Sequence, residues 1–239
     1  MLKIYGWKRS RVVRCMWVME ELGLQYEQIP LNPNEGQTRT PDYLALNPQG
    51  KIPTLVHDDF VLTETMAINS YLASSFPGSL WPATPRGAAK LQQWTSWGLS
   101  ELEPPLVAIM REGRRPKEQI DQARIDGWHA DVHRVIDAVL EPILGRQPYL
   151  LTDGFSLADL NVASVASVLP VFEISLNGHP NTDQWMKRCF TAMPGAASWS
   201  GLDWARRLRP ASSIRFRHSE FFLGDEAQDE LFGNRSQAL

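Results

Sequence analysis

The 239-residue sequence predicts an α+β chain, with a βαβαββα domain over residues 1–76 followed by an all-α bundle over 86–210. Three observations carry this reading. Strand-like and helix-like patterns alternate through the first 76 residues, as in βαβ units with parallel strand pairs. Pro77, Gly78, Pro82 and Pro85 then interrupt both regular structures, which marks 77–85 as a linker. Beyond it the hydrophobic spacing is helical and no strand pattern competes.

Each element has its own signal. LKIYG and YEQIPL read as strands, and the helix between them, over 11–23, places Val12, Met16, Met19 and Leu22 at helical spacing. Thr40 before Pro41 marks a helix start, because proline is tolerated at the first helical position, and PDYLALN is that short helix. IPTLVHDDFVL reads as a hairpin turning at Asp58-Asp59. A helix follows, with Ile68, Tyr71, Leu72 and Phe76 on one face. In the bundle, helices are expected over 86–112, 117–143, 156–169, 181–192 and 196–208. Residues 211–239 mix acidic side chains with Phe216, Phe221, Phe222, Leu231 and Phe232, and this extension is expected to pack on the body.

Composition narrows the class of function. With 24 Lys and Arg against 27 Asp and Glu, the net charge of −3 gives no general attraction to nucleic acid or to anionic membranes. No signal-like stretch precedes the first strand, and the longest apolar region, 157–172, is interrupted by Asp159, Asn161 and Pro170. A soluble, cytoplasmic protein is expected. Cys15 and Cys189 have neither CxxC nor metal spacing and read as reduced core residues, so no metal is expected.

Two stretches carry chemistry. In KIYGWKRSRVVRCMWVMEELGL, Lys8, Arg9, Arg11 and Arg14 surround Ser10 where a strand gives way to a helix. In NPQGKIPTLVHDDFVLTETMAI, Pro53 stands at the first position of a strand, where its missing amide is tolerated. A cis bond would suit that place, although residue identity does not decide it. Either a plain turn before an edge strand or a backbone left open for an extended peptide fits Pro53. Glu64-Thr65 opens a helix whose free amides could hold a carboxylate, although Thr65 also reads as an ordinary N-cap.

Taken together, K-I-Y-G…S-R…R…W…EELGL-Y-E, then NP-x-GK-IP-T-L, then L-T-E-T-x-AI-x-x-YL resemble the N-terminal domain of cytosolic glutathione transferases, in the form of a serine-type, bacterial-like member. The similarity is close over residues 2–76 and looser to about residue 210. It implies a thioredoxin-like domain that binds glutathione as cosubstrate, and a helical domain that shapes the pocket for a small hydrophobic electrophile. It also implies a homodimer, with Trp94 and Trp97 available for packing. By the same resemblance, Ser10 would hydrogen-bond the glutathione sulfur, and Ile52, before a cis Pro53, would pair with the cysteinyl backbone. Glu64 and Thr65 would hold the γ-glutamyl end, threonine replacing the serine of most relatives. Lys51, with Arg39 as second candidate, would meet the glycine carboxylate, and Trp7 would form a wall of the electrophile pocket.

The physical requirement agrees with that assignment. A thiol of pKa about 8.5 is only a few per cent ionised at neutral pH, and lowering it by about two units, worth about 2.7 kcal/mol, makes most of it reactive. A hydroxyl donating to a charged acceptor supplies about 1.5–3 kcal/mol, and a helix N-terminus about 0.3–1, up to about 2. Ser10, at the start of the helix over 11–23, offers both.

Other residues read as structural. Tyr5 lies within the first strand, and Cys15 lies a turn into an apolar helix. Ser156 with Asp159 forms a capping box, with Phe155 and Leu160 at hydrophobic-staple spacing. The five histidines show no ligand spacing with nearby acids. The same thiolate would also serve ether cleavage, disulfide reduction or isomerisation, and the same fold serves as a non-catalytic interaction module.

Overall fold

The structure is a computed structural model that describes residues 1–8 and 10–191. The helix expected over 196–208 and the extension over 211–239 lie outside the described residues. Strands β1 (Leu2–Tyr5), β2 (Tyr26–Ile29), β3 (Thr54–His57) and β4 (Phe60–Thr63) form one sheet in the order β2-β1-β3-β4. β1 and β2 are parallel, Leu2 opposite Tyr26 and Tyr5 opposite Ile29, and α1 (Val12–Glu21) is the crossover between them. β3 runs antiparallel to β1, and the β3–β4 hairpin turns at Asp58-Asp59, with Asp58 at φ 54°. α2 (Pro41–Leu46) and α3 (Thr65–Ser75) complete the βαβαββα order.

Local chemistry sets the ends. β2 stops before Pro30, which has no amide to give a ladder, and β3 starts just after Pro53. α1 closes in a Schellman arrangement: the Gly23 amide donates to the Glu20 carbonyl at 3.0 Å and the Leu24 amide to that of Met19 at 2.9 Å. It is therefore shorter at both ends than the expected span of 11–23. At α2, the Thr40 hydroxyl accepts from the Tyr43 amide and Pro41 occupies the first turn.

The helical part differs from two long uninterrupted helices. α4 (Pro85–Trp97) and α5 (Glu103–Glu112) are joined by a π-helical stretch, Gly98–Leu102. A second such stretch, Ile136–Leu140, joins α6 (Gln122–Val135) to α7 (Glu141–Leu144). Each wide turn is separated by one residue from a following proline: Pro104, followed by Pro105, in one case and Pro142 in the other. A proline removes the amide that would continue the i to i−4 ladder, and the preceding turn widens instead. The helix expected over 117–143 also starts late: Lys117–Gln119 is a single 3-10 turn, and α6 begins after Asp121, whose carboxylate accepts from the Arg124 amide at 3.2 Å.

α8 (Leu157–Ala166) is buried along its whole length and packs against α1, α3, α4 and α9 (Pro180–Thr191). The capping box at its start is present: the buried Asp159 carboxylate accepts from the Ser156 amide and hydroxyl, both at 3.0 Å. It also accepts from the Leu150 amide at 2.7 Å and from Trp185 Nε1 at 3.0 Å, which fixes α9 and the preceding loop to the same point. The apolar core runs without a break from the sheet into the bundle. Trp17 of α1 meets Phe190 of α9 with ring centroids 5.1 Å apart, and Trp94 lies inside the core, edge-on to Trp97.

Candidate functional site

Ser10 follows the loop after β1 and precedes α1. Its hydroxyl donates to the Trp7 carbonyl at 2.7 Å, its amide donates to the same carbonyl at 2.9 Å, and its oxygen accepts from the Val12 amide at 3.3 Å. The serine thus caps the helix through its oxygen, and its proton is directed at the loop. The loop itself is held at Gly6, whose amide donates to the Ile29 carbonyl and whose carbonyl accepts from Gln28 Nε2. A β-carbon at Gly6 would lie 2.8 Å from the Val12 β-carbon, and its φ is 155°, so only glycine lets β1 turn this closely against α1.

The cations near Ser10 do not form one rim. Arg11 Nε and Nη2 reach Glu103 Oε1 at 3.2 and 3.1 Å, and Arg14 Nη1 reaches the same oxygen at 2.9 Å. Arg14 has a side chain only 10 % exposed, and burial lowers its pKa from the ordinary arginine value while Glu103 opposes that shift. Lys8 is exposed, and Arg9 lies outside the described residues.

The Ile52–Pro53 peptide bond is cis. Among the described residues, the Ile52 backbone pairs with no other backbone group, and Pro53 is buried. The turn before it is clamped by a buried polar group. Tyr43 hydroxyl donates to the Lys51 carbonyl at 2.6 Å, Asn47 Nδ2 donates to the same carbonyl at 2.8 Å, and both reach Thr54 Oγ1, at 2.9 and 3.2 Å. The Lys51 side chain stays exposed at the surface. Arg39 lies against this turn: its Nη1 donates to the Gln49 carbonyl at 3.3 Å, and a β-carbon on Gly50 would come within 2.7 Å of it.

Glu64 is the residue before α3, at φ 69° and ψ 118° with its side chain exposed. A non-glycine residue in that region costs about 1–3 kcal/mol and persists only where its surroundings hold it. Thr65 opens the helix and is buried. Its carbonyl accepts from Cys15 Sγ at 3.8 Å, which ties the first turn of α3 to α1. Burial pushes the Cys15 thiol well above its ordinary pKa, and the same holds for Cys189, so neither presents a thiolate.

The residues singled out in the sequence thus occupy one helix start (Ser10), a backbone stretch beside the cis Pro53, and a second helix start (Glu64 and Thr65), with Lys51 and Arg39 on the turn before that proline. Tyr43, Asn47, Thr54 and Glu103 are the positioning residues that sequence reasoning missed. Asn47 belongs to the quoted NP-x-GK-IP-T-L stretch, whereas no local signal marks Glu103. Among the described residues, no group of three or more His, Cys, Asp or Glu is placed to hold a metal ion. None of the described helices is long and apolar enough to cross a membrane.

A four-stranded βαβαββα domain packed on an all-α domain with a capped buried helix is a thioredoxin-like, two-domain architecture. Comparison with known proteins places it further. The family model described as glutathione S-transferase, N-terminal domain, matches residues 1–74, and that for the C-terminal domain matches 103–192. Glutathione S-transferase 3 of Zea mays is 36 % identical over 83 % of this chain and 86 % of its own length. Glutathione S-transferase GstB of Escherichia coli strain K12 is 30 % identical over 79 % and 92 %. The crystal structure of glutathione transferase F7 from Populus trichocarpa, 27 % identical, superimposes with a TM-score of 0.74 over 84 % of this chain and 99 % of its own. The chain belongs to the glutathione S-transferase family, an enzyme family that uses glutathione as cosubstrate.

Proposed function

We propose that this protein conjugates the thiolate of glutathione to a small hydrophobic electrophile, acting as a cytoplasmic homodimer without nucleic-acid or membrane partners. The observation that carries this reading is the Ser10 hydroxyl at the start of α1, with a proton it can redirect. Rotation about its side-chain torsions moves that proton from the Trp7 carbonyl to a bound sulfur, while the Val12 amide can stay on the oxygen. A charged acceptor makes the stronger bond, so the exchange favours thiolate over thiol. The thiol proton leaves to solvent. The sulfur lone pair then forms a C–S bond to the electrophilic carbon, and the displaced electron pair departs with the leaving group or takes up a proton after addition.

In this reading, the Ile52 backbone pairs with the cysteinyl unit beside Pro53. Glu64 faces the γ-glutamyl ammonium, and Thr65 offers its amide and hydroxyl to the γ-glutamyl carboxylate. Lys51 and Arg39 meet the glycine carboxylate. Trp7 borders the electrophile.

Retention on immobilised glutathione followed by a thiolate absorbance titration tests the proposal. The wild type should bind and show a thiolate well below the free pKa. Ser10→Ala should keep binding but raise the bound pKa by about one to two units, the worth of one charge-assisted hydrogen bond. A wild type that neither binds nor ionises glutathione overturns the function, and an unchanged titration in Ser10→Ala overturns the serine assignment alone. A panel of electrophiles that includes ethers and disulfides then separates conjugation from etherase or reductase turnover.

A further inference from the structure

Three buried polar side chains join the two domains. Asn69 of α3 donates from Nδ2 to Asn161 Oδ1 of α8 at 2.9 Å, and Asn161 Nδ2 donates to Thr95 Oγ1 of α4 at 3.0 Å. Asn69 and Asn161 are essentially inaccessible, and Thr95 is 5 % exposed. They sit in a contact that is otherwise apolar, where an aliphatic pair would pack as well. What an amide adds there is direction: its bonds weaken steeply once bent, so the ladder fixes both the axial position and the rotation of α3 on α8.

α3 has a reason to be fixed. Its N-terminal end carries Glu64 in the left-handed region and Thr65 as first helical residue. Asn69 lies four residues after Thr65, on the same helix face one turn further in. A strained residue persists only where neighbouring structure over-determines it: Glu64 is held on one side by Thr63, paired with Thr54 in the sheet, and the remaining restraint comes through the helix. Two side-chain contacts supply it: Cys15 to the Thr65 carbonyl from α1, and Asn69 to Asn161 from α8.

We infer that Asn69 and Asn161 are positioning residues for the glutathione-binding end of α3, holding Glu64 and Thr65 in place through a buried amide ladder anchored in the helical domain. The inference rests on the function proposed above. It deepens that reading by assigning part of glutathione affinity to the domain that does not touch glutathione.

The test uses the full chain with Asn69→Leu, Asn161→Leu and the double variant. Glutathione Kd by calorimetry, electrophile KM at saturating glutathione, and Tm are measured for each. Single variants strand one buried amide and should lower both Tm and glutathione affinity, the latter by about tenfold, as expected from a small displacement of a bound group. The double variant, which leaves no stranded amide and only the Thr95 hydroxyl without its donor, should recover part of the Tm but keep the weak glutathione binding. Electrophile KM should stay within about twofold in all three. Should a single variant fail to fold, the double still decides. Glutathione affinity within about twofold of wild type in the double variant overturns the inference, because the ladder then serves stability alone. A wild type that does not bind glutathione overturns the function proposal, and this inference with it.

Discussion

Ser10, Ile52, Pro53, Glu64 and Thr65 were singled out from three motifs read together, since each motif alone also fits an ordinary turn or helix cap. What those motifs hide is the partner of each group. Nothing in the sequence directs the Ser10 proton to Trp7, or sets the Lys51 carbonyl under Tyr43 and Asn47. Tyr43 yields a prediction at this scale. Tyr43→Phe removes a 2.6 Å donor to Lys51 and leaves Thr54 with fewer partners, so stability should fall by about 1–3 kcal/mol in urea denaturation. Glutathione KM should rise as the turn before Pro53 loosens, while the bound thiolate pKa stays at the wild-type value, since no group near the sulfur changes. The histidines mark the same limit of sequence reading. His179 Nε2 lies 2.9 Å from Asp137 and its ring stacks on His133 at 5.2 Å, a cluster that no local spacing announces.

Among the elements, the βαβαββα order followed from periodicity and the start of α2 from threonine and proline chemistry, whereas α1 and α6 begin later than the spacing suggested. The π-helical stretches did not follow from periodicity, because hydrophobic spacing changes little when a single turn widens. α9 shows a second kind of hidden determinant, a cap supplied by another helix. Glu141 of α7 accepts from the Asn181 amide at 3.0 Å, Asn181 Nδ2 at 2.8 Å, the Thr182 amide at 2.9 Å and the Thr182 hydroxyl at 2.7 Å. Burial alone would raise its pKa, but the bonds from Asn181 and Thr182 outweigh that and hold it below the ordinary glutamate range. With the folded value depressed, the unfolded chain binds more protons on acidification. The contribution is therefore full above the unfolded pKa and is lost as pH falls through the folded one. Glu141→Gln should lower stability at neutral pH by about 1–3 kcal/mol, with a shallower decline on the acid side in a Tm-against-pH series.

At the level of the whole molecule, the two domains share one core and an ionic clasp, neither of which the linker and domain boundary read at 77–85 announced. Glu103 joins Arg11 and Arg14 across 92 and 89 residues of sequence, so these two members of the basic run are turned toward their own chain while Lys8 is exposed. The two arginines are not equivalent. The Arg14 side chain is largely enclosed, at 10 % exposure, and that of Arg11 is half exposed. Glu103→Ala should destabilise the fold by about 3–5 kcal/mol in chemical denaturation, because it leaves a buried guanidinium without a counter-charge. Arg11→Ala should change stability by about 0–1 kcal/mol, and salt should mask part of that. On the proposed function, the Ser10 hydroxyl also gives the molecule a way of telling reactant from product. A thiolate can win its single proton from the Trp7 carbonyl, but the thioether sulfur of a conjugate is a weak acceptor and cannot. Once the C–S bond forms, the hydroxyl returns to the loop, and the grip on sulfur ends with the charge that earned it.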